Sequence, residues 1–165
     1  MDALSASPRT LEVTVISGED LRPFPVKNAF VTVRSDAGDA QIATGTEKQR
    51  RSDYVEWGEK MTVKLPIRAR HLMVEVHCRT FTGIRSIGVA KIPTSDFLGG
   101  LVPENYMNFL SYRLRDKGGI RNGIINLSIR VEAEDNLERE YCRPCTAAAA
   151  PGVVTGVPVC WPSQF

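Results

Sequence analysis

The sequence predicts an all-β fold, a sandwich of about eight antiparallel strands over roughly 130 residues, followed by a tail. Three observations carry this. Short runs alternate apolar and polar side chains with a period of two. Turn-forming residues separate those runs at short intervals. No stretch of ordinary helix length shows a 3.6-residue period.

Taken in order, residues 1–8 form an N-terminal tail, and "TLEVTVISG" opens the sandwich. Leu11, Val13 and Val15 alternate there with Glu12 and Thr14. "NAFVTVRSD" repeats the pattern with Phe30 and a β-branched run, and "MTVKLP", "HLMVEVHC", "SIGVAKIP", "MNFLSYRLRD" and "GIINLSIRVE" follow. Turn signals stand at Asp36-Ala37-Gly38, Pro66, Gly99-Gly100, Gly118-Gly119 and Asn122-Gly123. These set the domain at 9–132. Residues 133–165 are charged at first and then rich in Ala, Gly and Pro, a composition that predicts a mostly disordered tail. A short helix fits 136–141, and Trp161 and Phe165 are out of character for a spacer, which leaves room for the tail to dock.

A chain of 165 residues is long enough for one domain with a core, and 42% hydrophobic with 24% charged residues is a globular balance. The formal net charge of +2 implies no nucleic-acid partner, so an electrostatic partner has to be sought in local clusters. "MDALSASPRT" lacks the apolar segment of a secretory signal, and no run reaches membrane-spanning length. These features predict a cytosolic protein with Cys78, Cys142, Cys145 and Cys160 reduced.

Two clusters stand out. In 74–88, Val74 and Val76 alternate with Glu75 and His77, and then the pattern breaks. Residues 79–85 read as a loop that holds Arg79 and Arg85, exposes Phe81 and Ile84, and contains no acid. The second cluster is Lys48, Arg50 and Arg51, with Lys60 and Lys64 on the next strand; four residues apart, the last two share a face. An edge row of charge that discourages strand pairing is the plain alternative for this second set.

Chemistry is scarce elsewhere. His71 and His77 share a strand face about 20 Å apart, too far to chelate one ion. "CRPC" lacks the second pair that a zinc site needs, and lipidation of Cys142 or Cys145 has no motif behind it. "SYRLRDKGGIRNG" is glycine-rich but lacks the lysine of a phosphate loop. No Ser/His/Asp or Cys/His set is placed for catalysis, and the chain reads as a binding module, not an enzyme.

The order "LEVTVISGEDL", "NAFVTV", "TGTEK…YVEWGEKMTVKLP" and "LMVEVHCRT…SIGVAKIP" resembles a C2 domain over about 9–132. "DYVEWGE", with Trp57 and Glu59, matches that family's Asn-Pro-x-Trp-Asn-Glu motif, and Ile87-Gly88 matches the pair after its last ligand loop. "FLSYRLRDKGGIRNGIINLSIRV" and "VVTGVPV" are similar to the small plant C2 proteins of the BONZAI-associated and cold-regulated soybean type. The resemblance implies a C2-type β-sandwich, membrane association, and a part in plant stress, defence or cell-death control.

It also implies calcium, held by about five acids in apical loops, because the ion takes six to eight oxygen ligands. Position by position, those acids fall here on Asn28, Cys78, Thr80 and Arg85, and the first loop "RPFPVKN" supplies none. Glu19 and Asp20 precede that loop and cannot replace the set. The expectation is therefore a calcium-independent module with no cofactor. Arg22, Lys27, Arg79 and Arg85 would supply the positive charge toward anionic phospholipid, while Phe24, Phe81 and Ile84 enter the interface. At about 1 kcal/mol per basic group, plus two partly buried apolar tips, the upper limit is about 7 kcal/mol, a Kd of about 10 μM. The alternative is that Phe81 and Ile84 tuck into the end of the sandwich. The Lys48–Lys64 set falls where C2 domains carry a phosphoinositide-binding patch. A rival function is a protein adaptor with a copine-type partner, for which lipid is secondary.

Overall fold

The computed structural model describes residues 7–23 and 26–133. Phe24, the tail after 133 with its expected helix, disorder and docking aromatics, and Cys142, Cys145 and Cys160 lie outside the described residues.

Residue alternation becomes strand alternation directly. β1 (Arg9–Glu19) buries Leu11, Val13 and Val15 completely and turns Glu12 and Thr14 to the other face. The remaining strands are β2 (Ala29–Ser35), β3 (Gln41–Ala43), β4 (Gln49–Arg50), β5 (Tyr54–Leu65), β6 (His71–Thr80), β7 (Gly83–Pro93), β8 (Met107–Arg115) and β9 (Arg121–Val131). One turn of 3-10 helix, Thr94–Asp96, follows β7. The spatial order is β3-β2-β6-β7-β8-β9-β1-β5-β4, and every pairing is antiparallel.

The curl of this sheet is sited between β7 and β8, which share a single paired position, Val89 with Arg115. Gly88 sits beside it. A Cβ there would lie 3.0 Å from Leu114 Cβ and 3.3 Å from the Arg115 carbonyl oxygen, so a side chain would push β8 off the seam. Leu72, Val74 and Val76 from β6 and Ile125, Leu127 and Ile129 from β9 are all fully buried in one core. Full burial of each such side chain contributes about 1.5–3 kcal/mol relative to exposure. Trp57 of β5 is buried in the same core, and its indole N–H donates to the Ala29 carbonyl of β2 at 3.0 Å, linking the two ends of the strand order.

The all-β sandwich matches the expectation, with nine strands instead of about eight. β3 and β4 have three and two residues, too few to display a period. Asn122-Gly123, expected as a turn, lies inside β9; the turn is 116–120. Asp116 closes it, accepting at Oδ1 from the Gly118 and Ile120 N–H groups, each at 2.9 Å.

Candidate functional site

The segment 79–85 is a hairpin, not the loop expected. Cys78 pairs with Arg85, Arg79 with Ile84 and Thr80 with Gly83, and only Phe81 and Thr82 remain as the turn. The Thr80 hydroxyl donates to the Gly83 carbonyl at 2.9 Å and closes it. Both faces of the tip meet water, so no alternation marks these strand ends in the sequence. Phe81 is fully exposed and Ile84 is 66% exposed, so neither tucks into the sandwich.

Arg79 is held on the outer face of the sheet. Its guanidinium carbon lies 5.2 Å from the Phe30 ring centroid, within cation–π range, and Phe30 stacks on His77 at 5.1 Å. His77 Nε2 meets the Thr32 hydroxyl at 3.0 Å. Burial pulls the His77 pKa below its ordinary value, and the nearby Glu75 carboxylate offsets only part of that. Burial thus favours the neutral form of the ring, the form that adds no repulsion beneath Arg79.

A cleft of about 460 Å³ at the hairpin brings together Asn28, Cys78, Thr80 and Arg85, with Lys27, Arg79 and Phe81 also among its walls. These are the positions that would carry calcium ligands, and no described residue lining the cleft is an acid. Burial pushes the Cys78 thiol pKa up, partly countered by Arg85. Glu47 approaches but is committed to backbone: its carboxylate accepts from the Asn28 N–H at 2.9 Å and the Ala29 N–H at 2.6 Å. One hydroxyl, one amide and three cationic side chains do not fit an ion that wants a shell of oxygens, mostly carboxylate. Among the described residues, no group of three or more His, Cys, Asp or Glu stands ready for a metal.

Arg22 reaches this end through its backbone. Its N–H donates to Asn122 Oδ1 at 2.9 Å, and its carbonyl accepts from Asn122 Nδ2 at 2.8 Å. A second cleft, of about 470 Å³, opens beside the first, with Arg22, Arg85 and Arg121 among its walls. Arg121 and the exposed Ile120 have no counterpart among the sequence candidates, because a segment read as two successive turns gives no reason to pick one arginine from it.

The second basic set is spread out and engaged. Lys60 meets Glu12 at 3.2 Å, Lys64 donates to the Thr10 hydroxyl at 2.7 Å, and Glu12 also binds Arg130 at 2.8 Å. Lys48 and Arg50 donate to the Gly58 and Val26 carbonyls, each at 3.4 Å, and Arg51 sits in the β4–β5 turn. Burial acts to raise the Glu12 pKa, but hydrogen bonds and charge from Lys60 and Arg130 outweigh it and hold the carboxyl below its ordinary value. Lys60 and Lys64 do share an exposed face of β5, as their spacing predicts, and Lys60 faces a carboxylate there.

Among relatives, "BON1-associated protein 2" of Arabidopsis thaliana is 37% identical over 151 residues, spanning 87% of this chain and 71% of its own. A C2 domain of plant extended synaptotagmin 1 matches with a TM-score of 0.63 at 13% identity, over 77% of this chain and 96% of that one. Extended synaptotagmin 2, in a form with its SMP domain and two C2 domains, matches with a TM-score of 0.57 at 21% identity, over 78% of this chain and 28% of that one. These likenesses of fold agree with the all-β architecture of the strands described above. A C2 domain family model matches residues 9–109, and the chain belongs to the C2 domain family.

Proposed function

We propose that this chain is a non-enzymatic C2 module that binds anionic phospholipid membranes peripherally, from the cytoplasmic side and without calcium, through the end of the sandwich that carries the 79–85 hairpin. The carrying observation is the hairpin tip: a fully exposed Phe81 above a cleft with Lys27, Arg79 and Arg85 on its walls and no acid among its described residues. Fixed guanidinium and ammonium groups take the part that a bound cation would play, each contributing about 1 kcal/mol toward an anionic leaflet, and the exposed ring adds burial in the interface. No described helix is long and apolar enough to cross a membrane. A setting in plant stress, defence or cell-death signalling follows from likeness to the Arabidopsis relative alone. Sedimentation with vesicles tests the reading. The protein should pellet with phosphatidylcholine vesicles that contain phosphatidylserine and stay in the supernatant with phosphatidylcholine alone; equal pelleting with both would contradict it.

One observation favours a second reading, an adaptor for a protein partner such as a copine. At the opposite end of the sandwich, Leu101 is fully exposed and Phe109 is 72% exposed, with Tyr106 and Met107 between them. The relative's name describes it as associated with BON1, and this apolar strip is where a comparable partner would be sought on this chain.

A further inference from the structure

We propose that the cleft walled by Arg22, Arg85 and Arg121 is a phosphate site, selective for the phosphomonoester of a lipid headgroup over a phosphodiester or a carboxylate. The proposal rests on the reading that this end of the sandwich meets the membrane, and it adds the chemical class of lipid.

Three features support it. First, the charge converges. Three guanidinium groups and one carboxylate, Asp116, line the cleft, a formal +2 from 3 − 1. One Asp116 oxygen is already committed to the Gly118 and Ile120 N–H groups. Neither the Arg85 nor the Arg121 side chain has a hydrogen-bonded or ion-paired partner among the described residues. Guanidinium groups grip phosphate oxygens in pairs, and a doubly charged phosphomonoester gains more from several of them than a singly charged phosphodiester does.

Second, the walls are fixed before any ligand arrives. The Asn122 amide donates to the Arg22 carbonyl at 2.8 Å and the Ile87 carbonyl at 2.9 Å, and it accepts from the Arg22 N–H. One side chain on β9 thus locks the 20–23 segment against β7. Gly123, at φ +80°, lets β9 pass directly over the Glu19 and Asp20 backbone. A site whose framework is already ordered loses less entropy on binding.

Third, the cleft lies where a headgroup would arrive. Arg85 lines both this cleft and the one that Phe81 lines, and Ile120, 68% exposed, is among the walls of this one. Each of the two clefts that share Arg85 therefore carries an exposed apolar side chain. With Phe81 and Ile120 in the interface, the cleft faces the headgroup layer, and a volume of about 470 Å³ falls among ordinary small-ligand sites.

Flotation of the full chain tests this, with phosphatidylcholine vesicles carrying either a phosphatidylinositol monophosphate or phosphatidylserine at matched surface charge. Wild type should bind the monophosphate vesicles about tenfold more tightly, the scale of one charge-assisted hydrogen bond. R121A should lose that preference and weaken phosphatidylserine binding about fivefold, the share of one basic group near an anionic leaflet, while R121K, which keeps the charge but not the fork, should hold its phosphatidylserine binding within about twofold and lose most of the preference. Equal affinity of wild type for the two vesicles, or a proportional loss on both in R121A and R121K, would overturn the site and leave the membrane reading standing. Soluble inositol bisphosphate separates the sources. Competition with the vesicles that depends on Arg121 is expected. Arg121-dependent binding of the soluble compound without binding to either vesicle would overturn the lipid source and the membrane reading, leaving a site for a free phosphomonoester.

Discussion

Phe81 is fully exposed, so its ring supports no core packing. That exposure predicts that F81A leaves the unfolding free energy within about 0.5 kcal/mol of wild type, the ordinary range for surface changes. The same change should weaken binding to anionic vesicles at every salt concentration, because burial of the ring is not screened. Chemical denaturation together with vesicle sedimentation reads both; a stability loss of several kcal/mol would make the ring a core residue. Glu12 gives a second test at this scale. Lys60 and Arg130 outweigh burial and lower its folded pKa below the ordinary 4.5. A carboxyl with a depressed folded pKa stabilises the fold above its unfolded pKa, and the stabilisation is lost as pH falls through the folded value. Wild type should therefore lose stability more steeply than E12Q on acidification below 4.5, measured by denaturation midpoints against pH. Phe81 and Ile84 were legible in the sequence, since no acid and no strand pattern accounts for them. The pairing of Lys60 with Glu12 was not, because it joins residues 48 apart in the chain through the β1–β5 register, with Thr14 and not Glu12 directly opposite Lys60.

Among the elements, β9 departs from its sequence signal at its start. Asn122-Gly123 is a strong turn pair, yet both residues are strand, because Asn122 satisfies the backbones of two neighbouring segments and Gly123 lets β9 pass over the Glu19 and Asp20 backbone. G123A should cost about 1–3 kcal/mol, from positive φ and from contact of the new methyl with Leu21 and the Glu19 and Asp20 backbone. Urea denaturation of G123A against wild type checks this, and an unchanged midpoint would mean that the clamp is loose. The long strands with one buried face, β1, β6 and β9, were legible because one side of each meets the core. The hairpin ends of β6 and β7 were not: past Cys78 neither face is covered, so side-chain type is free of the period.

For the whole molecule, alternation and turn spacing sufficed for the all-β class, and the Trp57 and Ile87-Gly88 motifs for the family. Both motifs have physical reasons here: the indole bond to the Ala29 carbonyl, and the close approach of β8 at Gly88. What the pattern leaves open is how charge is arranged at the ends of the sandwich, since that depends on which loops the strand order brings together. In the proposed function, fixed cations at the hairpin end replace calcium in holding an anionic membrane. This replacement is tested most directly by sedimentation of wild type and the R79A/R85A double variant with phosphatidylserine vesicles, in chelator and in millimolar calcium, across a salt series. Wild-type binding should be the same with and without calcium, and the double variant should lose about 2 kcal/mol at low salt, a loss that shrinks as salt rises. Binding that appears only with calcium, or a double variant that binds like wild type, would contradict it.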